Sequence, residues 1–172
     1  SQLLLRELRQ AGTVQLRDFY VRRARRLLPA LALVTIVTLA FSILFLSPFG
    51  DQQEVVRTSQ ATTLFLANAY LFLENTYFSL ASNPFRHMWS LAIEEQFYLL
   101  LPAALMIGWK LTKRFGKKRQ LVVLGAGVMV VSLVSFAVGV ALSFGYRLTP
   151  LPERFAFFGL PSRIWEFGVG VL

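Results

Sequence analysis

The stretch that decides the fold is LLPALALVTIVTLAFSILFLS, residues 27–47, which holds 21 residues without a single charge. A helix needs about 20 mostly apolar residues to cross the hydrocarbon core of a bilayer. The one helix breaker, Pro29, stands near the start of the run, where a helix tolerates proline. The stretch therefore predicts a membrane-spanning helix.

Three further apolar runs follow. Residues 121–144 supply 24 uncharged residues, and residues 88–109 are long enough to span but contain the adjacent carboxylates Glu94 and Glu95. A fourth run begins near Phe155 and reaches the last residue of the chain. Together these runs predict an all-α, polytopic membrane bundle of about three complete spans and a truncated fourth.

Composition supports a membrane protein and excludes several functions. The chain is 55% hydrophobic and only 16% charged, whereas soluble domains carry about 25% charged residues. Its net charge of +9 comes from bases clustered between apolar runs, which argues against a nucleic-acid-binding surface. It contains no cysteine, which excludes disulfides, zinc–thiolate sites and thiol nucleophiles. We expect no metal site and no nucleic-acid partner.

The charged segments predict an orientation. Residues 1–26 hold seven arginines against two acids, residues 110–119 hold six bases and no acid, and residues 48–87 are slightly acidic. The positive-inside rule places both basic segments, residues 1–26 and 110–120, in the cytoplasm. Two spans between them satisfy that rule and a third would not, so the 16 uncharged residues 58–73 are predicted to form a non-spanning helix at the outer face.

The start of the apolar run at residues 88–109 holds the most unusual group of polar residues. Asn83 and Pro84 predict a helix start, and a helix from there would place His87 and Glu94 about 20° apart on one face, with Tyr98 continuing the line. Glu95 would point about 80–100° away, toward a separate partner. The acids are either interfacial groups stabilised by the helix dipole, or part of a site in which His87 and a carboxylate move protons.

Two other charged clusters also allow two interpretations. Arg22, Arg23, Arg25 and Arg26 directly precede a span. They either set topology and meet anionic lipid, or bind phosphate, since Arg23 and Arg26 at i, i+3 can share a helix face. Near the end of the chain, Arg163 and Glu166 have the spacing of an ion pair within one helix. Gly168 and Gly170 would let a second helix approach closely.

Three blocks of sequence resemble one family. FYVRRARRLLPAL, HMWSLAIEEQFYLLLP and PSRIWEFGVG occur in the order typical of membrane-bound acyltransferase family 3. These bacterial enzymes O-acylate surface polysaccharides such as lipopolysaccharide or exopolysaccharide, and often carry a fused SGNH hydrolase-like domain. The resemblance covers nearly the whole chain.

The resemblance implies a multi-pass protein of the bacterial inner membrane, whose complete domain has about ten helical spans. Acyl-CoA would be a donor substrate, with no permanently bound cofactor, and its acyl group, expected to be acetyl, would pass to a hydroxyl of an extracytoplasmic glycan or lipid-linked sugar. The matching positions imply phosphate binding by Arg22, Arg23 and Arg26. They imply supporting catalytic roles for His87, Glu94 and Glu95, and further site roles for Tyr98, Arg163 and Glu166.

The chain departs from the family pattern in two places. It lacks the Arg/Lys-x10-His segment that carries the presumed catalytic base, and WEFGVG replaces the commoner WEL-x-x-G. We therefore expect an internal fragment that is inactive alone and that needs the rest of its parent domain as a partner. The expected other partners are membrane lipids, acyl-CoA, the glycan acceptor and a fused SGNH domain. The alternative function is a non-catalytic transport or scaffold module.

Overall fold

A computed structural model describes residues 4, 7–8, 12–74, 83–146, 149 and 151–171. The described residues form helices and no strand, which confirms the all-α prediction. The helices are α1 (Leu16–Phe45), α2 (Asp51–Thr63), α3 (Ala67–Glu74), α4 (Met88–Leu111), α5 (Lys117–Ser143), α6 (Pro152–Phe158) and α7 (Leu160–Val171). Among the described residues, three helices are long and apolar enough to span a membrane, namely α1, α4 and the Arg119–Ser143 part of α5. The predicted number of complete spans is confirmed.

Helix α1 is longer than the apolar run that predicted it. It begins at Leu16, so the arginine block forms its first turns and Pro29 lies inside the helix instead of at its start. Only Leu31, Thr35 and Ser42 are buried along it. Its large apolar side chains are mostly exposed, as expected of a helix whose surroundings are lipid tails.

The chain divides into two compact units, of which the first comprises Arg17–Glu95. Its core is formed by Val55, Ala67, Phe85, Met88 and Ala92, each at most 8% exposed. The helical hairpin α2–α3 and the first turns of α4 thus share one apolar cluster. Neither α2, with 13 residues, nor α3, with 8, is long enough to span, because a span takes about 20.

Residues 58–73 are not the single helix that the sequence predicts. Helix α2 ends at Thr63, and Phe65 adopts a positive φ of 55°. The amide of Phe65 donates to Thr62 O and that of Leu66 donates to Ala61 O, at 3.0 and 2.7 Å. These two bonds make the Schellman ending of a helix, which normally uses glycine at the left-handed position. Without a glycine at this position, the sequence contained no signal for the break.

The second unit comprises Ser1–Leu16 and Gln96–Leu172, and its helices α5 and α7 meet along small residues. A side chain on Gly168 would overlap Ser132 Oγ, whereas open space surrounds Gly170. Ser135 Oγ donates to Pro161 O at 2.6 Å and accepts from the Trp165 amide at 3.1 Å. Of the two glycines expected to admit a neighbouring helix, only Gly168 does so.

The fourth apolar run is not continuous. It is broken at Gly159, which adopts an extended conformation between α6 and α7. Pro161 follows in the first turn of α7, where its missing amide costs nothing, whereas inside a continuous helix it would disrupt the ladder. Ser162 Oγ lies within 3.1 Å of the carbonyl oxygens of Phe155, Ala156 and Gly159. The Ser162 hydroxyl is thus a hydrogen-bond donor for the carbonyl oxygens at the break.

Candidate functional site

The head of α4 begins with a turn and not with the helix that Asn83-Pro84 predicted. Asn83 Oδ1 accepts from the Phe85 amide at 3.0 Å, and residues 84–87 form turns before the helix begins at Met88. A side chain that bonds two residues ahead competes with helix formation, which accounts for the later start. His87 is therefore outside the helix and exposed, and the described residues give its imidazole no hydrogen bond to Glu94 or Glu95.

Arg23 of α1 binds both carboxylates of α4. Its Nε donates to Glu95 Oε2 at 2.7 Å and its Nη2 donates to Glu95 Oε1, so the two planar groups are joined by two parallel bonds. Nη2 also lies 3.7 Å from Glu94 Oε1. The sequence had predicted separate partners for the two acids. That prediction was wrong, because one long guanidinium reaches both neighbouring side chains.

The three charged groups differ in burial. The side chain of Glu95 is 10% exposed and that of Arg23 is 22% exposed, while that of Glu94 is 44% exposed. A bidentate arginine–carboxylate pair shielded from water is among the stronger polar contacts in proteins. Glu95 is thus held in one orientation, and Glu94 remains half exposed beside the same positive charge.

The pair also shows where the arginine block meets α4. Sequence reasoning placed Arg23 at the cytoplasmic end of its span and Glu95 at the outer end of another. The direct hydrogen bonds show that the two residues are neighbours. The block enters helix α1 instead of preceding it, so Arg23 is already within the helix where α4 can meet it.

The other arginines of the block are on the surface. Arg22, Arg25 and Arg26 are exposed. On a helix, Arg22 and Arg26 are separated by four residues and share one face, whereas Arg25 points about 100° away from Arg26. The block therefore presents Arg22 and Arg26 on one exposed face of α1, and Arg23 binds a carboxylate of α4.

Sequence reasoning missed a polar cluster in the same unit. Asn83 Nδ2 donates to Thr58 Oγ1 at 2.8 Å, and Thr58 Oγ1 donates to Glu54 O at 2.8 Å. Thr58 is fully buried. Burial, aided by the negative charges of Glu74 and Glu54, raises the pKa of Tyr70 above its usual range. The cluster attaches the turn before α4 to α2, and Asn83 before proline was the one sequence signal for it.

Tyr98 lies in the other unit, and its ring meets that of Phe97 edge-on at 5.7 Å. Phe97 in turn stacks on Phe167 at 4.8 Å. In the described structure, Tyr98 is thus part of an aromatic group. The line His87–Glu94–Tyr98 predicted from helical spacing does not form, because His87 precedes the helix.

Arg163 and Glu166 form the ion pair that their spacing predicted. Arg163 Nη1 donates to Glu166 Oε1, and its Nε donates to Phe157 O at 3.3 Å. The guanidinium carbon lies 5.3 Å from the centre of the Phe157 ring. The pair borders a groove of about 370 Å³, which is lined by Phe136, Gly139, Val140, Ser143, Phe144, Glu153, Ala156, Phe157, Ser162, Arg163, Trp165 and Glu166.

No group of three or more metal-ligating side chains occurs in the part of the chain that the structure describes. The described candidates offer arginines, carboxylates, the imidazole of His87 and the phenol of Tyr98. Exposed arginines can bind phosphate, and a carboxylate beside an arginine can orient a polar group or accept a hydrogen bond.

Comparison with known proteins gives a consistent assignment. A family model described as an acyltransferase domain matches residues 4–172. O-acetyltransferase OatA of Staphylococcus aureus is 33% identical over the whole chain but only 27% of its own length is covered. The "Putative peptidoglycan O-acetyltransferase YrhL" of Bacillus subtilis is 32% identical over 90% of the chain and 23% of its own length. An uncharacterised Haemophilus influenzae protein is 33% identical over 78% of the chain and 51% of its own length. No solved structure matches.

Proposed function

The chain belongs to the acyltransferase domain family, and we propose on this premise that it is part of a membrane O-acyltransferase that uses acyl-CoA. The relatives named as O-acetyltransferases support acetyl as the group transferred. The chain spans about half or less of the length of these relatives, so donor, acceptor and activity are proposed for the whole protein.

The proposed reaction moves an acyl group from sulfur to oxygen. The thioester C–S bond of acyl-CoA breaks, an ester C–O bond forms to the acceptor hydroxyl, and the hydroxyl proton ends on the released thiol of coenzyme A. The acceptor is proposed to be a glycan or a lipid-linked sugar outside the cytoplasmic membrane. The relative named for peptidoglycan O-acetylation supports a glycan.

The observation that carries the proposal is the exposed face of α1 that holds Arg22 and Arg26. Arg23 is bound by Glu95, while Arg22 and Arg26 are exposed on one face of α1. Two guanidinium forks four residues apart suit the phosphates of coenzyme A, which are dianionic or monoanionic groups rich in acceptor oxygens. We assign phosphate binding to Arg22 and Arg26, and assign Arg23 to the orientation of α1 against the head of α4.

The carboxylates then take supporting roles. Glu95 is held by Arg23, whereas the half-exposed side chain of Glu94 lies near the same guanidinium. Glu94 is therefore the carboxylate placed to accept a hydrogen bond or a proton from a ligand. His87 is exposed at the turn before α4, and its imidazole can carry a proton. Both residues remain proposed members of the site.

The matched pair Arg26→Ala and Arg25→Ala tests the donor site. Both changes remove one exposed arginine from the same turn of α1, so they alter charge-dependent topology equally. Loss of a phosphate contact should raise the KM for acetyl-CoA by about tenfold or more in R26A, and R25A should stay near wild type. Transfer to glycan would be measured in membranes containing the full-length protein.

The use of 3′-dephospho-CoA thioester sharpens the test. If Arg26 binds the 3′-phosphate, the KM difference between the two donors should shrink in R26A because that contact is already lost, whereas an unchanged difference with a raised KM would place the contact on the diphosphate. Equal effects of R25A and R26A on every donor would assign the block to topology alone and would contradict the donor site.

A further inference from the structure

The groove beside Arg163 is formed by residues that have no role in the donor site proposed above. One wall is the last part of α5, from Phe136 to Ser143, and the other is formed by α6 and α7. The rings of Phe136 and Trp165 meet edge-on at 5.1 Å. At the border stand Glu153, which is exposed, and the Arg163–Glu166 pair.

The charges of the groove select against anions. Among its lining residues, the two carboxylates Glu153 and Glu166 face a single guanidinium, that of Arg163, which leaves a net charge of −1. This negative charge repels the phosphates of coenzyme A and of anionic lipids, in contrast to the positive arginine block. Charged and hydroxyl groups at the border are also poorly suited to a lipid tail.

The remaining chemistry suits a neutral ring rich in hydroxyl groups. Carboxylate oxygens accept hydrogen bonds from hydroxyls, a guanidinium donates to them, and aromatic rings cover the apolar face of a sugar. Because Arg163 is held by Glu166 and by Phe157 O, it is pre-oriented and loses little freedom on binding. The groove thus combines fixed polar groups with an apolar floor, as small-molecule sites do.

The position along α5 indicates which side of the membrane the groove faces. The helix begins in the segment with six bases in residues 110–119, which the positive-inside rule assigns to the cytoplasm. Residues 136–143 come at the other end of this helix, about 30–40 Å from its start at 1.5 Å per residue. That distance is enough to cross the hydrocarbon core, so the positive-inside rule predicts that the groove opens on the extracytoplasmic side.

We propose that this groove binds a neutral sugar ring of the acceptor glycan. The proposal rests on the function proposed above and deepens it by assigning the acceptor subsite to residues that lie away from the arginine block in sequence. Glu153, Arg163 and Glu166 recognise hydroxyl groups, and Trp165 with Phe136 contacts the apolar face of the sugar.

A single-cysteine experiment tests the groove directly. These 172 residues contain no cysteine, so Ser143→Cys, on the groove wall, gives one reactive thiol in a cysteine-free background of the full-length protein. Ser47→Cys is the matched control, since Ser47 is exposed after the end of α1 and does not line the groove. A membrane-impermeant maleimide added outside should label the thiol of each variant.

Neutral oligomers of N-acetylglucosamine are the probe. They should slow labelling of the S143C variant at least about threefold once they occupy about two-thirds or more of the sites, and leave labelling of the S47C variant unchanged. A thiol at position 143 that cannot be labelled from outside, or that reacts at the same rate with and without the oligosaccharide, overturns the proposal. Slower labelling at both positions would indicate a general effect and would also overturn it.

Kinetics separate this proposal from the donor function. Glu153→Gln and Arg163→Lys should raise the KM for the glycan about tenfold and leave the KM for acetyl-CoA unchanged. E153Q tests the site even if R163K disturbs folding, because Glu153 is exposed. An unchanged glycan KM in E153Q, or a change in the donor KM alone, counts against the groove. If the wild type transfers no acyl group from acyl-CoA, the proposed function fails, whereas protection of the thiol in S143C still decides the groove.

Discussion

The two compact units each contain an arginine bound to a glutamate, and the two pairs differ in how they form. Arg23 and Glu95 are 72 positions apart and join two helices. Arg163 and Glu166 are three positions apart on a single helix. The first pair constrains the tertiary structure of its unit, whereas the second neutralises charge locally and leaves the helix free to pack by its small residues.

The difference in burial reinforces the contrast. The side chain of Glu95 is 10% exposed and that of Glu166 is 36% exposed. A charge that loses its partner is penalised more strongly where water is excluded. Mutation of the long-range pair should therefore have larger consequences than mutation of the local pair, and the following experiments test that ranking.

The largest effect is expected at Arg23 and Glu95. Arg23→Glu alone and Glu95→Arg alone should each lower acyl transfer by about 100-fold, since each places two like charges together and displaces α1 from the head of α4. The double exchange should restore a substantial part of the activity, as measured in membranes at equal expression. Arg25→Glu is the control, because it makes the same change in the charge of the arginine block at an exposed position. A double exchange as inactive as the single variants would mean that each residue acts separately.

A smaller effect is expected where α7 meets α5. Gly168→Ala should lower stability in detergent by about 1–3 kcal/mol, because the added methyl group overlaps Ser132 Oγ. Gly170→Ala is the matched control, since open space surrounds that position. Thermal unfolding followed by circular dichroism compares the two variants. Equal shifts would show that helix propensity, and not close packing, decides the result.

The polar cluster at the turn before α4 should contribute less. Thr58→Val keeps the shape of the side chain but removes the hydroxyl that binds Asn83, leaving the Asn83 amide with its longer contact to Glu54 Oε1 at 3.4 Å, at a cost of about 1 kcal/mol. The exposed Thr63→Val, on the same helix, is the control. If Asn83 orients the head of α4, T58V should also lower acyl transfer, and T63V should not. A T58V protein of wild-type stability would contradict the assignment.

The smallest effect on stability is expected at the local pair. Glu166→Gln should change the stability of the protein by less than about 0.5 kcal/mol, because a partly exposed pair within one helix contributes little. The same variant should weaken glycan binding if the groove holds the acceptor. A large loss of stability in E166Q would show that the two pairs are equivalent and would break the comparison.

Helix ends show why some boundaries could be predicted and others could not. Helix α5 ends at Ser143, followed by Gly145 with φ of 80° and by bonds from Gly145 N to Leu142 O and from Tyr146 N to Ala141 O. The predicted end at Phe144 lies within one residue. Helix α2 ends in the same motif with Phe65 in place of glycine. Its left-handed conformation costs about 1–2 kcal/mol, which only the surrounding structure can offset.

Only part of the candidate site could be predicted from the sequence, for the same reason. Its residue types and the pair Arg163–Glu166 follow from motifs and from spacing within a helix. The partner of Glu95, the role of Asn83 in a turn, and the exposure of Arg26 next to an engaged Arg23 depend on which segments meet. The predicted alignment of His87 with Glu94 assumed that the helix starts at Asn83-Pro84. In the structure, residues 84–87 form turns instead, and the helix starts at Met88.

The sequence by itself determined that this is an all-α membrane protein of the acyltransferase family with three long apolar helices. Hydropathy, charge distribution and motif order are properties of residues close together in the sequence. They can therefore be read without knowing which distant segments meet. Only the tertiary structure decided that Arg23 binds Glu95, that residues 58–73 break at Phe65, and that α6, α7 and the end of α5 enclose a groove. Those features arise from contacts between distant segments, whose free energy depends on packing geometry that no local pattern encodes.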